Sequence, residues 1–311
     1  MAIYDKNRNM LILADNELSI NNLLTKEEVY QLGFDAGYDE GYEAGMDDCI
    51  HPYKKEYLSF EILSGGTINW FRYYGNSGDS KTIEYSLDNG ATWQSITSDA
   101  SPNTPTITVE AGDVVKFRGD NEYYGTYDYV NTFSGSTAVF NVYGNIMSLV
   151  DSVNYQNLSS VTEYAFEGLF GNTNVVEANN LVLPAVVLAD WCYTSLFSRC
   201  SKLTKAPELP ATTLAVGCYS HMFASCNSLE KAPELPAPIL AERCYEYMFY
   251  GYPKINYIKC LATDISAHES TKIWVWGLPS AGTFVKACGM EDWTTGDNGI
   301  PSGWTVVDAE L

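Results

Sequence analysis

Between residues 56 and 146 apolar and polar positions alternate in short runs: YLSFEIL, GTINWFRYY, TIEYSL, TPTITVEAG, DVVKFRG and AVFNVYG. A period of two, interrupted by turn residues, predicts the strands of a small antiparallel β-sandwich. Ahead of it, in residues 1–55, the period changes. Thr25-Lys26-Glu27-Glu28 is a capping box that Leu24 and Val29 can staple, so a helix is predicted to begin near Lys26. Within that helix Gly33, Gly37, Gly41 and Gly45 recur every fourth residue beside a column of Phe34, Tyr38, Tyr42 and Met46. Each interior glycine costs about 1 kcal/mol relative to alanine. Such a helix needs a close neighbour. Acidic residues between the glycines argue against a membrane dimer, so this face, with Gly33, Gly37, Gly41, Gly45, Phe34, Tyr38 and Tyr42, is the candidate attachment or oligomerisation surface.

From Leu183 the chain repeats. LPAVVLADWCYTSLFSRCSKLTKAPE, LPATTLAVGCYSHMFASCNSLEKAPE and LPAPILAERCYEYMFYGYPKINYIKC follow one another in register. The first two agree at 14 of 26 positions, far beyond coincidence. All three keep Leu188, Leu214 and Leu240, then Cys192, Cys218 and Cys244, Tyr193, Tyr219 and Tyr245, and Phe197, Phe223 and Phe249. One copy cannot bury this apolar set by itself, so neighbouring copies are expected to stack into a continuous core. A degenerate earlier copy carries Phe170, and the pattern fades after Leu261 into a Gly-rich end. The expected organisation is an N-terminal segment (1–55), the sandwich (56–146), a solenoid (147–280) and a C-terminal cap (281–311). The fold class is therefore mixed and mainly β.

In the second copy Phe223, Cys226, Leu229 and the Leu235-Pro236 pair, matched by Phe197, Cys200, Leu203 and Leu209-Pro210 in the first, resemble the BspA-like leucine-rich repeat family. The resemblance covers about residues 160 to 280. It implies a short leucine-rich-repeat solenoid without catalytic residues, of the kind found on adhesins of gut and oral bacteria and on proteins of their phages, binding protein or glycan. Two departures stand out. Pro207 and Pro233 fall where a repeat strand would run and cannot donate to a ladder, and Tyr252 replaces the second cysteine of the third copy.

Charge narrows the partners. A formal net charge of −21, from 39 acidic and 18 basic residues, leaves no cationic cluster for a nucleic-acid backbone. No stretch approaches the length of a membrane span. The apolar run Met10–Ala14 is too short for a signal-peptide core, which suits a protein released by lysis. The cysteines that recur at fixed repeat positions read as core packing. His221 takes the place of Ser195 and Tyr247, so a pair with Cys218 or Cys226 is a weak case for a nucleophile. Seven residues separate Cys192 from Cys200 and Cys218 from Cys226, too many for a structural zinc site. No metal and no cofactor are expected. Ser86-Leu87-Asp88-Asn89-Gly90-Ala91-Thr92-Trp93 resembles the Asp-box of sialidase propellers, where it is a structural turn; a single copy predicts a stable hairpin.

Aromatic residues are the abundant resource, with 23 Tyr and 7 Trp. Trp191, Tyr250, Tyr252, Trp274 and Trp276 fall where the repeat does not demand an apolar side chain, and flat rings suit sugars or protein hot spots. They are the candidate ligand contacts. The expectation is a non-catalytic, homo-oligomeric protein of a phage virion surface, of fibre or decoration type, whose partners are other virion proteins and a host-surface protein or glycan. The alternatives are a bacterial surface or secreted adhesin and an accessory protein of glycan-active enzymes.

Overall fold

The computed structural model describes residues 53–73, 79–121 and 130–310, together with two short strands near the start and the backbone of Pro52. The chain divides into two compact units, Met1–Pro52 and Tyr53–Leu311. In the first, β1 (Ile3–Tyr4) pairs antiparallel with β2 (Met10–Leu11). The helix predicted from Lys26, and with it Gly33, Gly37, Gly41, Gly45, Phe34, Tyr38 and Tyr42, lies outside the described residues.

The second unit is mainly β, built from several small sheets without a barrel. Its strands are β3 (Leu58–Ser64), β4 (Gly66–Asn69), β5 (Phe71–Tyr73), β6 (Thr82–Ser86), β7 (Gln94–Thr97), β8 (Thr106–Val109), β9 (Val114–Arg118), β10 (Val130–Thr132) and β11 (Val139–Asn145). β11, β3, β9, β6 and β7 form an antiparallel run, while β4–β8 and β5–β10 make separate antiparallel pairs. The alternation seen in the sequence is realised directly: in β8 Ile107 and Val109 are buried and Thr106 and Thr108 exposed.

The expected antiparallel strands are joined by parallel ones where the sheet meets the first coil. Two parallel strands, β12 (Asn174–Val175) and β13 (Asn180–Val182), extend the sheet from the far edge of β11. Phe60 and Phe133 reach Phe170 at 6.0 Å, so the sheet and the repeats share one core.

The Asp-box is the hairpin between β6 and β7. Asp88 accepts from Thr92 N at 2.8 Å and Thr92 Oγ1 at 2.6 Å, and Ser86 Oγ accepts from Gly90 N at 2.8 Å. The Thr92 hydroxyl foremost, then the Thr92 N–H and the Ser86 hydroxyl that donates to Asp88 at 2.7 Å, hold the Asp88 carboxyl down to about 2. Its charge is spent on the turn. Asn89 and Gly90 take the left-handed region that such a turn requires, and Trp93 is covered by Arg118 at 4.1 Å.

Beyond β13 the copies stack by an unusual hydrogen-bond scheme. Backbone N–H groups of Trp191, Tyr193, Ser195, Phe197 and Arg199 donate to the next copy, at Val216, Cys218, Ser220, Met222 and Ala224. The alternate N–H groups, from Cys192 to Cys200, close local turns onto the residue three back. Half of the donors hold the coil and half hold its neighbour. Neither a helix nor a strand can satisfy both demands, so this arc contains only turns. Every fourth residue accordingly has positive φ: Trp191, Ser195 and Arg199, then Gly217, His221 and Ser225, Arg243, Tyr247 and Gly251, and Glu269, Ile273 and Gly277. Tyr164, Gly168 and Asn172 begin the series, making five layers.

Proline decides where strands survive. Pro207 and Pro233 are followed in register by Lys259, whose N–H is free to pair. There β14 (Tyr257–Cys260) forms, parallel to β15 (Thr283–Lys286) and then β16 (Thr305–Asp308). The proline-bearing copies keep only single bridges such as Glu177 with Lys205.

Inside the layers two aromatic ladders run. Phe166, Tyr193, Tyr219 and Tyr245 stack at 6.1, 6.0 and 6.2 Å. Phe170, Phe197, Phe223 and Phe249 stack at 5.1, 5.8 and 5.9 Å. Each contact adds about 0.5–1.5 kcal/mol beyond burial. The recurrent cysteines fill slots too small for a larger residue and use their weak donors: Cys200 Sγ donates to Phe170 O at 2.9 Å and Cys226 Sγ to Phe197 O at 3.0 Å.

Candidate functional site

On the outer arc of the third to fifth layers five aromatic rings meet. His221 and Tyr247 occupy equivalent positions in adjacent copies and stack at 4.7 Å. Tyr250 and Trp276, also equivalent, stack at 4.8 Å with 16° between planes. Tyr247 closes on the edge of Tyr250 at 5.5 Å, and Tyr252 tilts onto Trp276 at 5.5 Å. Among the described residues the hydroxyls of Tyr247, Tyr250 and Tyr252 have no hydrogen-bond partner.

Tyr252 explains how the repeat makes this surface. Its equivalents Cys200 and Cys226 are fully buried, but Tyr252 is 68% exposed. A phenol cannot enter a slot shaped for a thiol, and Gly251, with φ of +127°, lets the chain turn the ring outwards. Gly277 keeps the next layer close: its added Cβ would overlap the carbonyl oxygen of Gly251. The two glycines replace Arg199 and Ser225 of the earlier layers.

Of the aromatic residues singled out from the sequence, Tyr250, Tyr252 and Trp276 are brought together. Trp274 is not part of the surface. It is fully buried, follows Leu196, Met222 and Met248 in one core column, and stacks on Tyr245 at 6.1 Å and Trp293 at 5.7 Å. Extending the repeat by one copy places this position in a column that demands an apolar side chain. Trp191 is half-buried in a different column, its ring lying where Gly217 leaves room. His221 and Tyr247 complete the cluster; their shared register was the available signal.

The chemistry of the surface is mild. Ser220 Oγ and His221 Nδ1 are hydrogen-bonded at 2.8 Å. Burial lowers the His221 pKa, opposed by the nearby charge of Glu246. The thiols considered as nucleophiles are buried, Cys218 pushed up to about 12 by desolvation and Cys226 raised well above its ordinary range. No group of three or more His, Cys, Asp or Glu side chains converges as a metal site among the described residues. Beside the cluster Glu246 is bound by Lys272 at 3.3 Å, and Glu269 by Lys272 and Arg243 at 2.9 Å each.

The first-layer member of the Glu246 column is Glu167, and burial alone pushes its carboxyl up to about 7. Its folded pKa lies above the unfolded value of 4.5, so folding favours the protonated form. Stability should be greatest below pH 4.5 on this account and should fall as pH rises through 7. A tenfold change in the protonation equilibrium corresponds to about 1.4 kcal/mol, so Glu167→Gln is expected to gain about 2–4 kcal/mol over the native chain at pH 8 and little at pH 4.5. Urea unfolding at both pH values measures the difference, and an equal gain at the two would rule out titration as its source.

Comparison with family models, curated proteins and solved structures returned no match. Among the described residues no helix is long and apolar enough to cross a membrane.

Proposed function

We propose that this chain is a non-catalytic adhesion protein in which the stacked layers act as a short leucine-rich-repeat solenoid and the aromatic cluster is its contact surface. The observation that carries this reading is Tyr252: a repeat position otherwise given to the core is turned outwards beside Trp276, Tyr250, Tyr247 and His221. Exposed aromatic anchors on a rigid frame are what interface hot spots are made of. The proposed setting is the surface of a phage particle, with the N-terminal glycine column as attachment or oligomerisation segment. The resemblance of the repeats to those of such proteins supports that setting. Its ligand is a host-surface protein or glycan.

The test has two arms. Purified particles probed with an antibody to the chain should contain it; recovery only from the surface of uninfected bacteria would replace this setting by a bacterial adhesin. Full-length protein carrying Tyr250→Ala with Trp276→Ala should bind host cells at least about tenfold more weakly than the native chain, as loss of two anchors implies. Undiminished binding by a double variant that unfolds at the native urea midpoint would sink the assignment of the site.

A further inference from the structure

We infer that the aromatic arc takes an acidic polypeptide segment of a partner protein, a conclusion that rests on the adhesion reading above and narrows its ligand. The arc departs sharply from the charge of the whole chain. Residues 168–176, 195–203, 221–229, 247–255 and 273–281, the same arc in five successive layers, contain no Asp or Glu, although the chain has 39. The same arc carries Arg199, Lys202 and Lys254, all exposed and none in an ion pair among the described residues. Several cations elsewhere are held by carboxylates, as in Lys116–Glu56 at 3.0 Å, Arg118–Glu84 at 2.7 Å, Lys205–Glu177 at 2.8 Å and Lys259–Glu234 at 3.0 Å, while Lys231 lies over the ring of Tyr257 at 5.4 Å. A protein of net charge −21 thus carries three cations, in no ion pair among the described residues, on the same arc as its aromatic cluster. Charges placed this way draw an anionic partner to the arc while the acidic remainder of the surface repels it, so docking is confined to one face.

Ring geometry selects a polypeptide over a sugar. A sugar stacks on a free aromatic face, and here one face each of Tyr250 and Trp276 is taken by the other, as is one face each of His221 and Tyr247. The cluster also offers three phenol hydroxyls that have no hydrogen-bond partner among the described residues. These suit backbone carbonyls and carboxylates, which accept hydrogen bonds, together with apolar side chains against the ring edges. A second copy of the chain is the weaker occupant, because two bodies of charge −21 repel over a Debye length of about 8 Å in physiological salt.

The experiment uses the full chain and a synthetic glutamate–tyrosine copolymer as probe, with dextran and alginate as neutral and anionic polysaccharide comparisons, measured by biolayer interferometry. The copolymer should bind, with affinity falling about tenfold or more from about 0.05 to 0.5 M salt. Arg199→Glu with Lys254→Glu, both on exposed positions, should lower it by a further tenfold while leaving the thermal midpoint in place. Tyr250→Ala with Trp276→Ala should do likewise. Failure of the native chain to bind the copolymer, or binding that both double variants retain, would overturn the inference. So would preference for either polysaccharide, or a concentration-dependent dimer in sedimentation that the charge reversals abolish. The host-cell assay is read separately: cell binding that persists while the copolymer is ignored rejects the acidic-peptide ligand and leaves the adhesion reading standing.

Discussion

Replacing Gly277 with alanine is expected to destabilise the protein by about 2–5 kcal/mol and to part the fifth layer from the fourth. Two effects add. The backbone at 277 has φ of +87°, a region that costs an L-residue about 1–2 kcal/mol. The new methyl would also overlap the Gly251 carbonyl oxygen, a backbone atom that cannot swing aside, and overpacking of this kind costs about 1–3 kcal/mol more. Gly289 separates the two effects. Its φ is +74°, but no atom lies within 4 Å of an added Cβ, so Gly289→Ala should show the conformational part alone. Urea unfolding of both variants gives the comparison, and equal losses would show that the layer contact is unimportant. Because Trp276 precedes Gly277 and stacks on Tyr250, the alanine variant should also shift tryptophan emission, whereas Gly289→Ala should not.

Trp274→Ala should remove about 3–5 kcal/mol, the range for truncating a fully buried large aromatic. This residue touches both ladders, Tyr245 at 6.1 Å and Phe249 at 6.2 Å, and passes the stack on to Trp293 and Phe284 at 5.7 and 6.3 Å. Its indole also donates to Gly299 O at 2.9 Å, which truncation leaves without that donor. Loss of the side chain should therefore uncouple residues beyond 280 from the layers, giving a second unfolding transition or early proteolysis there. A single cooperative transition with a loss under about 1 kcal/mol, well below that range, would show that the ladder does not depend on this junction.

Much of the fold was legible in the sequence because burial on one face writes a period of two. The runs LSFEILS, TIEYS, TITV and VVKFR became strands with little adjustment. Gln94–Thr97 was implied only as the return strand of the Asp-box hairpin, and Val130–Thr132 was missed, being short and largely polar, with a pairing to Phe71–Tyr73 that the local pattern does not reveal. Inside the layers the left-handed columns were hidden. Ser195, His221, Tyr247 and Ile273 give no local sign of positive φ, and only the scattered glycines at 168, 217, 251 and 277 hint at it. Three of the five rings of the aromatic cluster, Tyr250, Tyr252 and Trp276, were visible as extra rings outside the repeat consensus. Trp274 was misplaced because the fifth layer has lost the consensus while keeping its core column.

The alternating hydrogen-bond scheme has a consequence for how such a chain can change over generations. Each layer offers its neighbour the same set of donors at the same spacing, so removal or duplication of one whole copy leaves the backbone pairing of the remainder intact. A lineage can thereby lengthen or shorten its reach in steps of one layer while point changes rewrite the rings on the outer arc, and the two kinds of variation need not compromise each other.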